Sequence, residues 1–459
     1  MSTSTESTKE LETRDISSLF RIYAIPAVIS QVISAAYNLC DRIFLGQGVG
    51  SLALAGLAVT FPLMNIIHAF GSLVGAGAGA RMSIVLGKKD IRWGEKILGN
   101  SMLLTFFFGF LFVTGGYLYM DDVLRLFGAS EQTLSYAKEY MLIVLPGMFL
   151  TTLTFNLTGL IRSTGYPTRS MWILAGGALL NIGLDALFIF GFGWGIKGAA
   201  WATTVSMALS AVAAVLHFCL PSSFIRFHRH AWSPKLYIFR NILLIGLSPF
   251  LMNLASSLVA ALLNHQLIRF GGDLAVGTFG IVNSYATLMF LIIMGLCTGM
   301  QPIAGYNYGA GRLERMRSVY LLNLKICVAV GVIGLVMAFL FPEAILHIFT
   351  PDEAMIAMGV PGLHFMVALS PLIAFTACNS QFFQSIDKPW VAIVTSLGRQ
   401  VLFLPPMMYL IPHLYELWGS DGLRGVWASL TCSDFFGFLL ALVLLISQRH
   451  VFRSKPADA

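Results

Sequence analysis

Residues 170–190 read SMWILAGGALLNIGLDALFIF and contain one ionisable side chain, that of Asp185. A membrane-spanning helix needs about 20 mostly apolar residues, so this stretch is long and apolar enough to cross a bilayer. An acid at that depth is costly to bury and indicates a functional role. The stretch therefore predicts both a membrane helix and a site within it.

Similar apolar runs occupy most of the 459 residues, and they are too long and too uniformly apolar for tilted barrel strands. Of all residues, 57% are apolar and only 11% are charged. Soluble domains carry about 25% charged residues, so an ordinary soluble enzyme is excluded. The sequence predicts an all-α integral membrane protein with about twelve transmembrane helices. The predicted runs are 20–45, 52–86, 93–119, 132–161, 170–190, 195–220, 237–270, 274–309, 313–341, 355–385, 390–411 and 422–447.

The distribution of Lys and Arg predicts the orientation. With a cytoplasmic N-terminus, 23 of these residues fall on the cytoplasmic side and 6 on the outer side. We therefore expect both termini in the cytoplasm and the chain in the inner (plasma) membrane. The same bias accounts for the net charge of +7, so no nucleic-acid partner is predicted. The sequence also indicates no cofactor and no obligate protein partner.

The two sides of a basic segment near the middle of the chain resemble each other at offsets of 222 or 223 residues. The matching pairs are Pro26 and Pro249, Gly77 and Gly299, Gly87 and Gly309, and Pro167 and Pro389. Six helices per repeat predict two pseudo-symmetric lobes that point the same way around a central cavity, as in transporters. Chance similarity between apolar sequences is the alternative. The predicted segments are a cytoplasmic tail (1–19), an N-lobe (20–220), a cytoplasmic linker (221–236), a C-lobe (237–448) and a cytoplasmic tail (449–459).

The sequence contains no GxxxxGK[ST] phosphate-binding loop. A GxGxG run at residues 75–79 lies inside an apolar run, where close helix packing or a hinge is expected. Transport by this chain would therefore be passive or driven by an ion gradient.

Two acids of the N-lobe are expected at a similar depth in the outer half of the bilayer, Asp41 and Asp185. Asn181 lies one helical turn before Asp185, and Thr203 reaches the same layer from the next helix. Carboxylate, amide and hydroxyl oxygens with a free backbone carbonyl could hold Na⁺. Alternatively, the repulsion between two buried carboxylates favours binding of a proton. The non-functional alternative is an unrelated Asp185 and an Asp41 that lies at the outer end beside Arg42.

The C-lobe has its own intramembrane charges. Asp434 lies near the middle of the twelfth run, and Arg399 lies in the antiparallel eleventh run. We expect an ion pair between them near the midplane. The pair is either structural or a place where an acid contacts substrate.

Five stretches together resemble the bacterial multidrug and toxic compound extrusion (MATE) family of transporters. The resemblance extends from about residue 18 to residue 448. The stretches are 26–46 with DRIFLG at its end, GAGAGAR at 75–81, GYP at 165–167, NIGLD at 181–185 and GMQPIAGYNYGAG at 299–311.

The resemblance implies two six-helix lobes around a V-shaped cavity and export of organic, often cationic compounds in exchange for H⁺ or Na⁺. It implies a coupling site in the N-lobe at Asp41, Asn181, Asp185 and Thr203, and a bend of the first helix at Pro26. Substrate-lining positions would be Tyr37, Met64, Asn156 and Met207, for each of which ordinary helix packing is the alternative.

Another branch of that family carries a Glu in the seventh helix and an Asp in the tenth. Here the seventh helix has Asn264 and His265, and the tenth has no acid. This departure argues against a cation site of that type in the C-lobe.

Two other functions stay open at this stage. A flippase for a lipid-linked saccharide would need cations facing the cavity for a pyrophosphate, and Arg399 alone lies at mid-membrane. An intramembrane enzyme would need paired metal-binding acids, a Ser/His dyad or HExxH, and the sequence shows none of these.

Overall fold

A computed structural model describes residues 6–49, 51–221 and 223–452, without the side chains of residues 6–9, 42 and 51–54. Within those ranges all regular structure is helical, which confirms the predicted all-α class. The α-helices are α1 (Glu6–Thr13), α2 (Ile16–Gly48), α3 (Ser51–Gly87), α4 (Ile91–Leu118), α5 (Met120–Leu126), α6 (Glu131–Ser163), α7 (Pro167–Asp185), α8 (Gly195–Cys219), α9 (Leu236–Gly309), α10 (Leu313–Leu340), α11 (Pro342–His347), α12 (Glu353–Val367), α13 (Ser370–Ser385), α14 (Pro389–Leu397), α15 (Leu404–Leu417) and α16 (Gly422–Ser447). Two π-helical turns, Ala186–Gly191 and Gly398–Phe403, extend α7 and join α14 to α15.

The helices account for twelve membrane crossings. Ten helices of the described chain are long and apolar enough to span a membrane, and α12 with α13, bent by 46°, forms one more span. The 74-residue α9 supplies two of the crossings, because its backbone breaks at Gly272. The φ of 65° at Gly272 is a left-handed value that glycine adopts without steric strain. Six crossings precede the linker and six follow it.

The N-terminal segment is more ordered than a simple tail. Helix α1 precedes α2, which already begins at Ile16, so the lobe boundary predicted at residue 20 lies inside a helix. The Asp15 carboxylate caps α2 by accepting hydrogen bonds from the backbone N–H groups of Ser17 (3.0 Å) and Ser18 (3.1 Å). Residues 1–5 and 453–459 of the two predicted tails lie outside the described residues.

The linker between the lobes is anchored to α4. The Glu95 carboxylate, almost fully buried, pairs with His228 Nδ1 (2.7 Å) and His230 Nε2 (2.8 Å). One turn further along α4, Asn100 donates to the carbonyl oxygen of Ser233 (3.0 Å). The linker is therefore held against α4 by hydrogen-bond partners that local sequence does not reveal.

The hydrophobic core shows that the lobes meet at one end only. We call the end that carries the linker the linker end, and the other the open end. One core cluster contains residues of both lobes and reaches the linker at Ile225. A second cluster, around Leu45 and Ile196, belongs to the N-lobe alone, and a third, around Leu346 and Leu423, to the C-lobe alone. The lobes are thus packed together at the linker end and separate towards the open end.

Two glycine contacts join the lobes in a symmetric way. A Cβ on Gly87 would overlap the carbonyl oxygen of Tyr306, and a Cβ on Gly309 would overlap the carbonyl oxygen of Ile84. Both the glycines and their partners differ by 222 positions, so the same contact is made twice, once by each repeat. The offset read from the sequence is therefore a real pseudo-two-fold relation.

The GxGxG run of α3 allows close approach of helices on two sides. A Cβ on Gly75 would press on the α6 backbone at Asn156, and one on Gly79 would contact Ser163. On the opposite face, a Cβ on Gly77 would overlap the carbonyl oxygen of Ile242 in the C-lobe. The predicted close packing is confirmed.

Three cysteines that are far apart in the sequence meet in the C-lobe. Cys297 and Cys327 lie with their Sγ atoms 3.9 Å apart, and Asn323 Nδ2 donates to Cys378 Sγ (3.1 Å). All three are buried, whereas Cys219 is exposed. The cluster packs α9, α10 and α13 together.

Candidate functional site

The N-lobe contains a cavity of about 1130 Å³, counting its open mouth. Its walls come from α2, α3, α6, α7 and α8, and they mix aromatic and thioether groups with hydroxyls and amides. The lining residues are Ser30, Gln31, Ser34, Tyr37, Asn38, Phe61, Met64, Asn65, His68, Met148, Thr151, Thr154, Phe155, Leu174, Gly177, Ala178, Asn181, Thr203, Ser206, Met207 and Ser210. A ligand there would find apolar surface and several polar groups for orientation.

One face of α2 carries both cavity-lining residues and the acid Asp41. Ser30, Ser34 and Asn38 line the cavity at intervals of four residues, and Asp41 follows three residues later. Residues spaced by three and four lie on one face of an α-helix. The same helix therefore carries both cavity wall and carboxylate.

The structure brings together the four residues that the sequence predicted as a coupling site. Asp41 and Asp185 are 9% and 0% exposed and interact electrostatically. With its amide nitrogen turned to Asp185, Asn181 donates to Asp185 Oδ2 (2.9 Å). In that orientation its oxygen accepts from the backbone N–H (3.2 Å) and Oγ1 (3.3 Å) of Thr203. Asn181 and Thr203 also line the cavity, so the carboxylates lie directly behind its wall.

One oxygen of Asp185 is open. Asp185 Oδ1 is buried and accepts no hydrogen bond from the residues that the structure describes. Nor does a Lys or Arg side chain in the described part of the chain come within 4.0 Å of Asp185. The side chain of Arg42, the alternative partner of Asp41, lies outside the described residues. A buried carboxylate with an open oxygen is suited to binding a proton or a hard cation.

The cluster has an unforeseen aromatic member and a helical irregularity. Tyr140, which is fully buried, lies beside Thr203 and interacts electrostatically with Asp41 and Asp185. Immediately after Asp185 the α-helix changes to the π-helical turn Ala186–Gly191. Such turns occur frequently at functional sites because they alter the direction of neighbouring side chains and free backbone groups.

Three of the four residues that were predicted to line the cavity do so, and one does not. Tyr37, Met64 and Met207 line the cavity. The prediction for Asn156 is wrong: its side chain is fully buried on the other side of α6 and donates to Ser101 Oγ (3.2 Å) and Thr105 Oγ1 (3.0 Å). A buried amide takes the nearest hydroxyl partners, and α4 supplies them.

His68 is a cavity residue that the sequence analysis missed. Its ring lies 4.7 Å from that of Phe155, centroid to centroid, and both line the cavity. The signal was present, since His68 follows Met64 by one helical turn and so lies on the same face of α3.

The segment of α2 around Pro26 contacts the other lobe. Pro26 is buried in a helix that runs from Ile16 to Gly48. On either side of it, Ala24 and Val28 press against C-lobe helix α9 at Gly299 and Gly295. Any bend of α2 at Pro26 would therefore alter the contact between the lobes.

The predicted C-lobe charge pair forms. Arg399 Nη1 donates to Asp434 Oδ1 at 2.6 Å, and both residues line a separate C-lobe pocket of about 670 Å³, counting its open mouth. The seventh-helix residues Asn264 and His265 are exposed and do not line this pocket.

Two repeated six-helix lobes that close at one end and separate at the other, with buried carboxylates beside a polar cavity, define a multi-pass membrane transporter. The comparisons agree. A family model described as MatE matches residues 26–187 and again residues 249–410, so the two matches begin 223 residues apart. The chain belongs to the MatE family, whose members are transporters and not enzymes.

Relatives matched over nearly their whole length support this assignment, and a solved structure shares the fold. The multidrug export protein MepA of Staphylococcus saprophyticus is 24% identical over 95% of this chain and 95% of that protein. MepA of Staphylococcus aureus is 25% identical over 93% of each. An outward-facing multidrug resistance MATE family transporter of the MOP superfamily superposes with a TM-score of 0.90 at 24% identity, covering 97% of this chain and 98% of that chain. The last similarity shows the twelve-helix, two-lobe fold.

Proposed function

We propose that this protein is a secondary active multidrug exporter of the bacterial inner membrane. It exports organic, often cationic amphiphilic compounds and imports H⁺ or Na⁺ in exchange. Its linker end and both termini face the cytoplasm, so the open end faces outward. The observation that carries the proposal is the open, buried Oδ1 of Asp185, one residue layer behind the polar and aromatic cavity.

Ion and drug are linked through shared wall residues and through α2. Asn181 and Thr203 contact the ion site on one side and the cavity on the other. A proton or Na⁺ at Asp41 and Asp185 reduces the negative charge that attracts a cationic compound in the cavity. The same event acts on α2, which carries Asp41 at one end and the lobe contact near Pro26 at the other.

The cycle follows from these positions. With the open end outward, the ion enters the cluster and the drug leaves the cavity. Movement of α2 at Pro26 loosens the contacts at Gly295 and Gly299, and the lobes rock so that the linker end opens. The ion then leaves to the cytoplasm, and a new substrate binds.

The chemistry of the pockets does not favour the alternative of a flippase for a lipid-linked saccharide. A pyrophosphate needs several cations that face the cavity. Arg399 shares its charge with Asp434, and the N-lobe cavity is bordered by carboxylates.

Efflux from proteoliposomes tests the proposal. A fluorescent organic cation is loaded, and a pH gradient and a Na⁺ gradient are imposed separately. We expect one gradient to drive efflux by the wild type, and Asp41→Asn and Asp185→Asn each to abolish it. Asp122→Asn is the matched control, because it makes the same substitution at an exposed acid in the short helix α5. Efflux that persists in folded Asp41→Asn and Asp185→Asn proteins would refute N-lobe coupling and direct attention to Asp434.

A further inference from the structure

The C-lobe pocket has a polar side and an apolar side. It lies between the two halves of α9, α13, the π-helical turn at Arg399 and α16. Met252, Phe290 and Met294 supply apolar surface, while Gln384, Arg399 and Gln400 supply polar groups. Thioether and aromatic groups adapt to flat apolar bodies, and a few fixed polar groups set orientation.

The guanidinium of Arg399 has N–H groups to spare. A guanidinium carries five N–H donors, and among the described residues the side chain of Arg399 donates only to Asp434. The side chain of Asp434 is 3% exposed, whereas that of Arg399 is 29% exposed and borders the pocket. The pair is therefore asymmetric: both residues line the pocket, but the acid is nearly enclosed by protein and the cation is the more exposed of the two.

Two buried amide atoms in the same pocket lack partners. Gln384, which is 2% exposed, has no acceptor for Nε2 among the described residues. Gln400 donates from Nε2 to Ser256 Oγ (3.2 Å), but no described residue donates to its buried Oε1. Buried polar groups are nearly always hydrogen-bonded, so an open donor and an open acceptor beside a partly exposed guanidinium indicate a ligand site.

We propose that this pocket binds the carboxylate group of an aromatic monoacid or zwitterion. The carboxylate accepts from the spare guanidinium N–H groups of Arg399 and from Gln384 Nε2, and the aromatic body lies against Met252 and Phe290. Asp434 balances the single positive charge of Arg399, so the pocket carries no net positive charge that would favour a doubly charged phosphate. The chain thus offers a cation-attracting cavity in the N-lobe and a carboxylate-binding pocket in the C-lobe.

Any role of this pocket in transport rests on the proposed export function. Binding of the carboxylate to the pocket does not, because it is measured without an ion gradient. Full-length protein in lipid nanodiscs is titrated by fluorescence anisotropy with two probes. One is a rhodamine whose pendant ring bears a free carboxylic acid, and the other is its methyl ester. The two differ only in the group that the pocket would recognise.

The double variant Arg399→Gln, Asp434→Asn removes the charge pair without leaving one charge unpaired. We expect it to raise the Kd of the acid probe about tenfold and to leave that of the ester unchanged. Gln384→Met removes one donor at similar volume and should raise the Kd of the acid about threefold. Gln132→Met, the same substitution at an exposed position that lines neither pocket, should not change the acid-to-ester ratio.

Thermal unfolding and gel filtration of each variant verify that it is folded. Equal shifts for both probes, or no shift for the acid in a folded double variant, would overturn the proposal. Failure of the proposed function has a different signature. Wild-type protein would then export neither probe from liposomes, while the acid-to-ester ratio in nanodiscs would still respond to Arg399 and Gln384.

Discussion

The two lobes share one fold but differ in whether their buried acids have a cationic partner. In the N-lobe, Asp41 and Asp185 are buried as two acids together, and Asp185 keeps one oxygen open. In the C-lobe, Asp434 is buried to a similar degree but is bonded to Arg399 at 2.6 Å. A π-helical turn lies beside the charge in each case, after Asp185 and at Arg399. The repeat thus preserves architecture, while function follows from which lobe leaves its charge uncompensated.

The largest effect that we expect from this difference between the lobes is on the rate of transport. Asp185→Asn should reduce gradient-driven efflux of an organic cation to the level of protein-free liposomes, because the uncompensated carboxylate is removed. The double variant Arg399→Gln, Asp434→Asn should keep efflux of the same cation close to the wild-type rate. Initial rates in proteoliposomes measure both. Loss of efflux in the double variant alone would reverse the roles assigned to the lobes.

The next largest effect is on thermal stability. Removing a buried charge should lower the unfolding midpoint in the C-lobe but not in the N-lobe. Arg399→Ala leaves Asp434 buried without its partner and should cost about 3 kcal/mol, the lower limit for such a pair because Arg399 is partly exposed. Asp185→Asn removes a buried charge that has no cationic partner in the described structure, so the unfolding midpoint should stay or rise. Thermal unfolding in one detergent measures both. A midpoint unchanged by Arg399→Ala would exclude a structural role for the pair.

A smaller effect is expected at the symmetric glycine contacts. Gly87→Val and Gly309→Val each place side-chain atoms where a carbonyl oxygen of the other lobe lies. Overpacking of this kind typically costs about 1–3 kcal/mol. The two variants should be destabilised by similar amounts in thermal unfolding, with Gly115→Val, which has open space around it, as control. A large difference between them would show that the contacts are not equivalent.

The smallest effect concerns the ion pairs by which α1 contacts both lobes at the linker end. The Glu12 carboxylate lies 3.4 Å from Lys89 of the N-lobe and 3.4 Å from Arg312 of the C-lobe, which occupy nearly equivalent positions of the repeat. Because both cations are largely exposed, each pair should contribute less than about 1 kcal/mol. Lys89→Gln and Arg312→Gln should therefore each change the transport rate only slightly. Efflux assays at low and high salt measure this, and screening should remove the difference from wild type.

Much of the architecture was predictable because it depends on periodic and local properties. Apolar length alone predicts spans, so all twelve crossings were identified in the sequence. The repeat was visible as an offset of 222 to 223 residues, since glycines at lobe contacts tolerate no side chain and recur in both halves. Spacing along helices also placed Asp41, Asn181, Asp185 and Thr203 in one layer.

Other features depend on neighbours that are remote in the sequence. Asn156 was expected in the cavity, but hydroxyls of α4 hold it elsewhere. The approach of Gln384 to Arg399 and Gln400 joins two separate helical segments, α13 and the π-helical turn Gly398–Phe403. The anchoring of the linker histidines by Glu95 spans 133 residues. No pattern within one helix contains such information.

The sequence by itself determined a helical membrane protein of two repeated lobes and the intramembrane acids of each. The bilayer enforces this, because every backbone polar group in hydrocarbon must be satisfied within its own helix. The tertiary structure alone decided which acid is compensated, which wall faces a cavity and which end of the bundle is closed. Those outcomes depend on distances of a few ångströms between side chains of different helices, over which hydrogen bonds and charges act. The spacing of residues along the sequence does not determine these distances.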